Sequence, residues 1–176
     1  MKLPELHLVL EIGAKELCCR MADPRSHGEL PSWISFARDV LCRYLQHWNT
    51  TAVVLTPEKY DWIGEYCGSR AIPYVEESMP GRFVRLTIRP TGAPQRAELI
   101  GDLLADGIWT YDGAVTLVFT APEPCDSDSG VVKITPMMDG KGLCCLGPLK
   151  EREKLSEAIV SVATALGIEQ HIRYEG

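Results

Sequence analysis

From Leu6 to Ile12 the chain alternates, with Leu6, Leu8, Leu10 and Ile12 on one side and His7, Val9 and Glu11 on the other. That period of two predicts a half-buried strand. A polar stretch from Ala22 to Pro31 follows, and the period then changes. Trp33, Ala37, Val40, Leu41, Tyr44 and Trp48 recur at steps of three and four. They predict an amphipathic helix over Ser32 to Trp48, with Arg38, Asp39, Arg43 and His47 toward water. The β-branched run TAVVLTP predicts a buried strand. Thr56 as N-cap and Pro57 as first helical residue then predict a helix reaching Cys67, closed by Gly68 in the left-handed conformation.

Arg82 to Ile88 alternates again, with a short extra strand near Ile72 to Val75. Pro94 to Asp106 carries Leu99, Ile100, Leu103 and Leu104 at helical spacing, and Gly107 closes it. Ala114 to Thr120 is nearly continuous apolar sequence, the mark of a central strand. Val131 to Thr135 predicts another strand. Leu149 to Leu166 places Leu155, Ile159, Val162 and Leu166 on one helical face, Gly167 ends it, and Ile168 to Tyr174 forms a last strand. Three of the strands run into Pro57, Pro90 and Pro136, and proline is expected to end each because it cannot donate to a ladder.

The element order is β-α-β-α-β-α-β-β-α-β. The consecutive strands at 114–120 and 131–135, joined by a loop with Pro122, Pro124 and Gly130, predict an antiparallel hairpin within it. The expected architecture is α+β: a single domain over 1–176, with a mixed, mostly antiparallel sheet of five to seven strands and about four packed helices. A chain of 176 residues can bury roughly 70% of its unfolded surface in one core.

Composition narrows the function. With 45% apolar and 24% charged residues, the chain is an ordinary globular sequence. It holds no apolar run long enough to span a bilayer, and its N-terminus lacks the long apolar region of a signal peptide. The expected compartment is the cytoplasm. Seven cysteines, an odd count with adjacent pairs at Cys18-Cys19 and Cys144-Cys145, argue against a secreted disulfide framework and for buried core thiols. No CxxC occurs and the histidines are scattered, so neither metal nor cofactor is expected. Cys67 sits at a helix C-terminus, where the negative dipole end disfavours a thiolate.

Asp126-Ser-Asp128-Ser-Gly130 resembles the start of a calcium loop. Its glycine is fifth and its twelfth position is Met137, so a solvated hairpin loop is expected. Gly140-Lys141-Gly142 is not followed by Ser or Thr, and the dinucleotide, nucleophile-elbow and zinc-protease motifs are absent. No enzyme activity is expected. A net charge of −6 disfavours nucleic acid as a partner, since phosphates need Lys and Arg.

The charge is uneven. Arg82, Arg85, Arg89 and Arg96 lie in an acid-free window from Ser78 to Ala97. Arg85 and Arg89, on one expected strand face, form a candidate anion clamp; the alternative is a charged guard of a sheet edge. The opposite bias follows. Glu98, Asp102, Asp106 and Asp112 fall between Ala97 and Gly113 without a base, with Glu76 and Glu77 before them and Glu123, Asp126 and Asp128 after. Trp109 and Tyr111 are embedded there, the residue types that dominate binding hot spots. The expected partner surface is Trp109, Tyr111, Asp106, Asp112, Glu98, Asp102, Asp126 and Asp128, with the acids steering a basic partner. The alternative is that Trp109 closes the core and the acids are merely solvated.

The run Trp109-Thr-Tyr111-Asp112-Gly113 leading into Ala-Val-Thr-Leu-Val-Phe119, in a small acidic chain without a catalytic motif, resembles the immunity proteins of bacterial toxin systems. The resemblance covers these few residues and the general style of the chain. It implies a stoichiometric binder that neutralises a cognate toxin with a basic surface. Two alternatives stand beside it. One is a small cytosolic enzyme or ligand-binding domain taking an anionic, phosphate-containing substrate at Arg85, Arg89 or His171. The other is a subunit of a larger assembly.

Overall fold

The computed structural model describes residues 6–23, 30–45, 52–57, 62–81, 83–89, 92–105, 116–120, 131–137 and 141–174. In chain order the elements are β1 (His7–Ile12), β2 (Glu16–Met21), α1 (Leu30–Leu45), β3 (Ala52–Pro57) and α2 (Trp62–Ser69). Then come β4 (Tyr74–Met79), β5 (Phe83–Ile88), α3 (Ala93–Ala105), β6 (Thr116–Thr120) and β7 (Val131–Met137). β8 (Gly142–Leu146), α4 (Leu149–Leu166) and β9 (Glu169–Tyr174) complete them. The fold is α+β.

The strands make one nine-stranded sheet in the order β4-β5-β3-β6-β7-β8-β2-β1-β9. Neighbours are antiparallel throughout except β1 and β9. That one parallel pair arises because α4 returns the chain to the sheet edge beside β1, as parallel pairing requires. The expected β6–β7 hairpin is present, with Phe119 opposite Val132. The sheet exceeds the expected five to seven strands because β2 and β8 carry little sequence signal. Glu-Leu-Cys-Cys-Arg-Met and Gly-Leu-Cys-Cys-Leu are short and lack β-branched residues, which are the usual mark of a strand. The short strand expected near Ile72 to Val75 is β4, starting later and running to Met79.

One face of the sheet is apolar. Leu8 and Leu10 from β1, Leu17, Cys19 and Met21 from β2, and Leu143 and Cys145 from β8 are buried in the core cluster. The helices supply the rest. α1 packs against both α3 and α4 and presents the expected stripe of Trp33, Ala37, Val40, Leu41 and Tyr44, all buried. Its Arg38, Asp39 and Arg43 are exposed. In α4, Leu155, Ile159 and Val162 are buried, whereas Leu166, expected on the same face, is exposed at the last turn. Gly167 closes α4 at φ 66°, a conformation that glycine adopts without a Cβ penalty.

Three boundaries differ from expectation. Thr56 and Pro57 do not start a helix; they extend β3, opposite Val84 and Phe83. Pro57 is the last residue of β3, and Pro136 sits inside β7, opposite Leu143 and one residue before the strand ends at Met137. At the end of α2, the left-handed residue is Ala71, at φ 53°, and not Gly68. Ile72 N–H donates to Cys67 O at 2.9 Å and Ala71 N–H to Gly68 O at 3.3 Å, the paired bonds of a Schellman closure shifted by three residues.

A buried cation secures the junction of β2 and β8. Arg152, in the first turns of α4 and 8% exposed, donates Nε to Gly147 O, Nη1 to Gly13 O and Nη2 to Ala14 O, at 3.0–3.1 Å. It ties the end of β8 to the β1–β2 turn. Glu151 beside it is equally enclosed and accepts from Tyr44 Oη and Lys154 Nζ, each at 3.0 Å. Replacing Arg152 with Leu strips a charged donor from three backbone carbonyls, so denaturant unfolding of Arg152→Leu should show a loss of at least about 3 kcal/mol. The exposed control Arg173→Leu should stay within about 0.5 kcal/mol of the wild type. Equal effects would contradict the clamp.

Candidate functional site

The end of the molecule built from α2, β4 and α3 carries the described part of the acidic sector. Glu98 and Asp102 stand one turn apart on α3, and Glu98 is exposed. Arg70, just past α2, lies 3.9 Å from Glu98 and covers the Tyr66 ring at 3.8 Å from its centroid. Trp62 meets Tyr66 edge-on at 6.1 Å. Burial raises the Tyr66 phenol above its usual pKa, and the Asp102 carboxylate beside it adds to the effect. α2 and α3 are thereby joined by an aromatic and ionic seam, with carboxylates left at its rim.

β4 forms the outer edge of the sheet and is solvent-exposed from Tyr74 to Ser78. Tyr74 and Val75 are 38% and 53% exposed, and Glu76 and Glu77 follow them. Tyr74 lies close enough to Gly64 of α2 that a Cβ there would stand 3.4 Å from its hydroxyl. The short strand expected near Ile72 to Val75 is this edge strand, and the acids Glu76 and Glu77, expected beside the acidic sector, lie within it. Of the expected partner surface, the structure brings Glu98 and Asp102 to this end, while Asp106, Trp109, Tyr111, Asp112, Asp126 and Asp128 lie outside the described residues.

The arginine clamp is not assembled as expected. Arg85 on β5 pairs across the ladder with Glu77 of β4 at 3.4 Å, so an acid from outside its own sequence window already meets it. Arg89 falls beyond the end of β5, exposed, with its backbone N–H bonded to Pro73 O. His171, on β9 beside Glu169 at 3.5 Å, cannot complete a pocket with them. β5 and β9 stand seven strands apart in the sheet, on the order of 33 Å at ~4.8 Å per strand. The described residues line a surface groove between α1, α3 and α4 (≈ 530 Å³) and another between the β1–β2 end and α4 (≈ 440 Å³). The first has Cys42, Asp39 and Arg43 on its wall, and burial pushes the Cys42 thiol above its ordinary pKa, away from the thiolate that a nucleophile needs.

The cysteines are sorted by strand alternation. β2 and β8 pair with Cys18 opposite Cys144, Leu17 opposite Cys145 and Cys19 opposite Leu143. Each adjacent pair is therefore split between the two faces. Cys19 and Cys145 enter the core, as does Cys67 from α2, in accord with the expectation of buried thiols. Cys18 and Cys144 point to the other face and are joined as a disulfide, with Cα atoms 4.2 Å apart, against the expectation that the adjacent pairs speak for unpaired core thiols. Glu16, two residues along β2 on the same face, sets its carboxylate 3.6 Å from Cys144 Sγ. Among the described residues no helix is long and apolar enough to cross a membrane.

Comparison of the chain with protein-family models, with curated proteins and with solved structures finds no match.

Burial pushes the Cys19 and Cys145 thiols from 9.0 up to about 12. The unfolded thiols release their protons near 9.0, so between 9.0 and about 12 the folded state binds more protons. Stability is full below that window and falls as pH rises through it, by up to about 1.4 kcal/mol per pH unit and thiol. Urea unfolding at about pH 8 and about pH 10 should show this loss, and Cys19→Ala should reduce its slope by one thiol's share. An unchanged slope in Cys19→Ala would contradict the assignment.

Proposed function

We propose that this chain is a protein-binding module that neutralises a cognate bacterial toxin by forming a tight stoichiometric complex, with the β4–α2–α3 end as part of its contact surface. The observation that carries this reading is the exposed edge strand β4. Among the described residues no strand pairs with its outer side, and it offers two partly exposed apolar side chains at Tyr74 and Val75 and a carboxylate rim at Glu65, Glu76 and Glu98. A segment of a partner added along such an edge gains main-chain hydrogen bonds, with side chains setting specificity.

Charge supports a basic partner. Among the described side chains at this end, Glu65, Glu76, Glu77, Glu98 and Asp102 face Arg70, Arg85 and Arg89, two of which are engaged by Glu98 and Glu77; the side chains of Arg82 and Arg96 in the same segments lie outside that set. The field of the remaining carboxylates accelerates encounter with a cationic surface. A toxin that acts on nucleic acid carries such a surface at its cleft, and covering the cleft would block it. The alternative of an anionic substrate gains no comparable support, because Arg85 is occupied by Glu77.

Co-purification with the product of the adjacent gene identifies the partner, and stopped-flow association then tests the surface. The double variant Glu76→Lys/Glu98→Lys should slow association by about tenfold or more at low salt and by much less at high salt. Val75→Asp should act chiefly on dissociation, because it removes buried contact area. Association rates unchanged by the charge reversal would overturn the placement of the surface at this end.

A further inference from the structure

We propose that Cys18, Cys144 and Glu16 form a binding site for a thiophilic divalent cation of the zinc class, available when the two thiols are reduced and closed when they are joined as a disulfide. The three donor atoms lie within 4.8 Å of one another. A tetrahedral zinc ion with bonds of about 2.0–2.3 Å places its ligand atoms about 3.3–3.8 Å apart, so small side-chain rotations bring the three donors into range. Two thiolates and one carboxylate leave the fourth position to water.

The surroundings select these donors and not the other cysteines. Cys19 and Cys145 face the core on the opposite side of the sheet. Cys144 is half-buried and Glu16 exposed, giving the ion a path in. Glu16 has no basic partner among the described residues, and its carboxylate is directed at a sulfur. Across the β1–β2 ladder, Glu11 stands opposite Cys18 but is already matched by Arg20 at 3.3 Å and Arg173 at 4.0 Å. Two thiolates beside an unmatched carboxylate concentrate negative charge that a divalent cation offsets.

The disulfide and the metal exclude each other, since both use the same sulfur electrons. Opening requires two electrons from a reductant, a dithiol in a cell or a phosphine in an assay. The S–S bond breaks, each sulfur takes up an electron and a proton, and the dithiol closes to its own disulfide; the phosphine, with water, becomes its oxide. Entry of the ion then displaces one proton from each thiol.

The test uses the full chain, freed of metal, reduced with a phosphine and titrated with Co2+ as a spectroscopic probe that Zn2+ then displaces. One equivalent should bind with a sulfur-to-cobalt charge-transfer band. The band should vanish in Cys18→Ser, in Cys144→Ser and in the oxidised wild type, and persist in Cys42→Ser. Glu16→Gln, an exposed substitution that leaves the fold intact, should weaken binding about tenfold or more. The absence of the band in the reduced wild type, or its persistence in Cys144→Ser, overturns the site. Unchanged affinity in Glu16→Gln overturns the three-donor arrangement even if a cysteine variant fails to fold.

Discussion

The register of β2 against β8 is the constraint on which the rest of the sheet depends. Within the sheet, this ladder joins the β1–β2 hairpin and β9 to the six strands on the other side. Its residues come from opposite ends of the chain, with a sequence separation of 126 from Cys18 to Cys144. Closing so long a loop costs entropy, and a two-stranded contact alone recovers little of it. Three features converge on the junction: the packing of Leu17, Cys19, Leu143 and Cys145 into the core, the paired Cys18 and Cys144 on the opposite face, and Arg152 bound to carbonyls at the ends of both strands. A slip of one residue would exchange the faces of every side chain in β2. It would send Cys18 into the core and expose Cys19, so the paired cysteines act as a marker of register.

That junction also divides the labour of the molecule. The sulfur–carboxylate cluster lies on the junction itself, with β1 and β9 to one side. To the other, the sheet runs out to β4, where α2 and α3 bring their carboxylates to an exposed edge. The two regions share no side chain. A partner bound along β4 and a cation at Cys18 and Cys144 are therefore physically independent occupants of the proposed surfaces, coupled only through the rigidity of the sheet between them.

The helices were largely legible in the sequence because each buries one face. The three- and four-residue steps of Trp33, Ala37, Val40, Leu41 and Tyr44 survive unchanged as the buried stripe of α1. β1, β5, β7 and β9 were legible from alternation or apolar runs. β2 and β8 were not, because cysteine carries neither the branching nor the polarity that signals a strand, and the meaning of two adjacent cysteines appears only when the partner strand is known. β3 ends at Pro57, as expected of a residue that cannot donate to a ladder, whereas β7 runs one residue past Pro136 to Met137. Of the candidate site, the acidic bias around Glu98 and Asp102 was legible as composition. The apparent freedom of Arg85 was not real, because Glu77, eight residues earlier and just outside the acid-free window, comes opposite it once β4 and β5 pair.

Disulfide mapping tests the register most directly. The oxidised chain, digested without reduction and examined by mass spectrometry, should yield a linked peptide joining Cys18 to Cys144, with Cys19 and Cys145 recovered as free thiols after unfolding in an alkylating agent. A link from Cys18 to Cys145, or from Cys19 to Cys144, would place β2 one residue out of register against β8 and contradict the account.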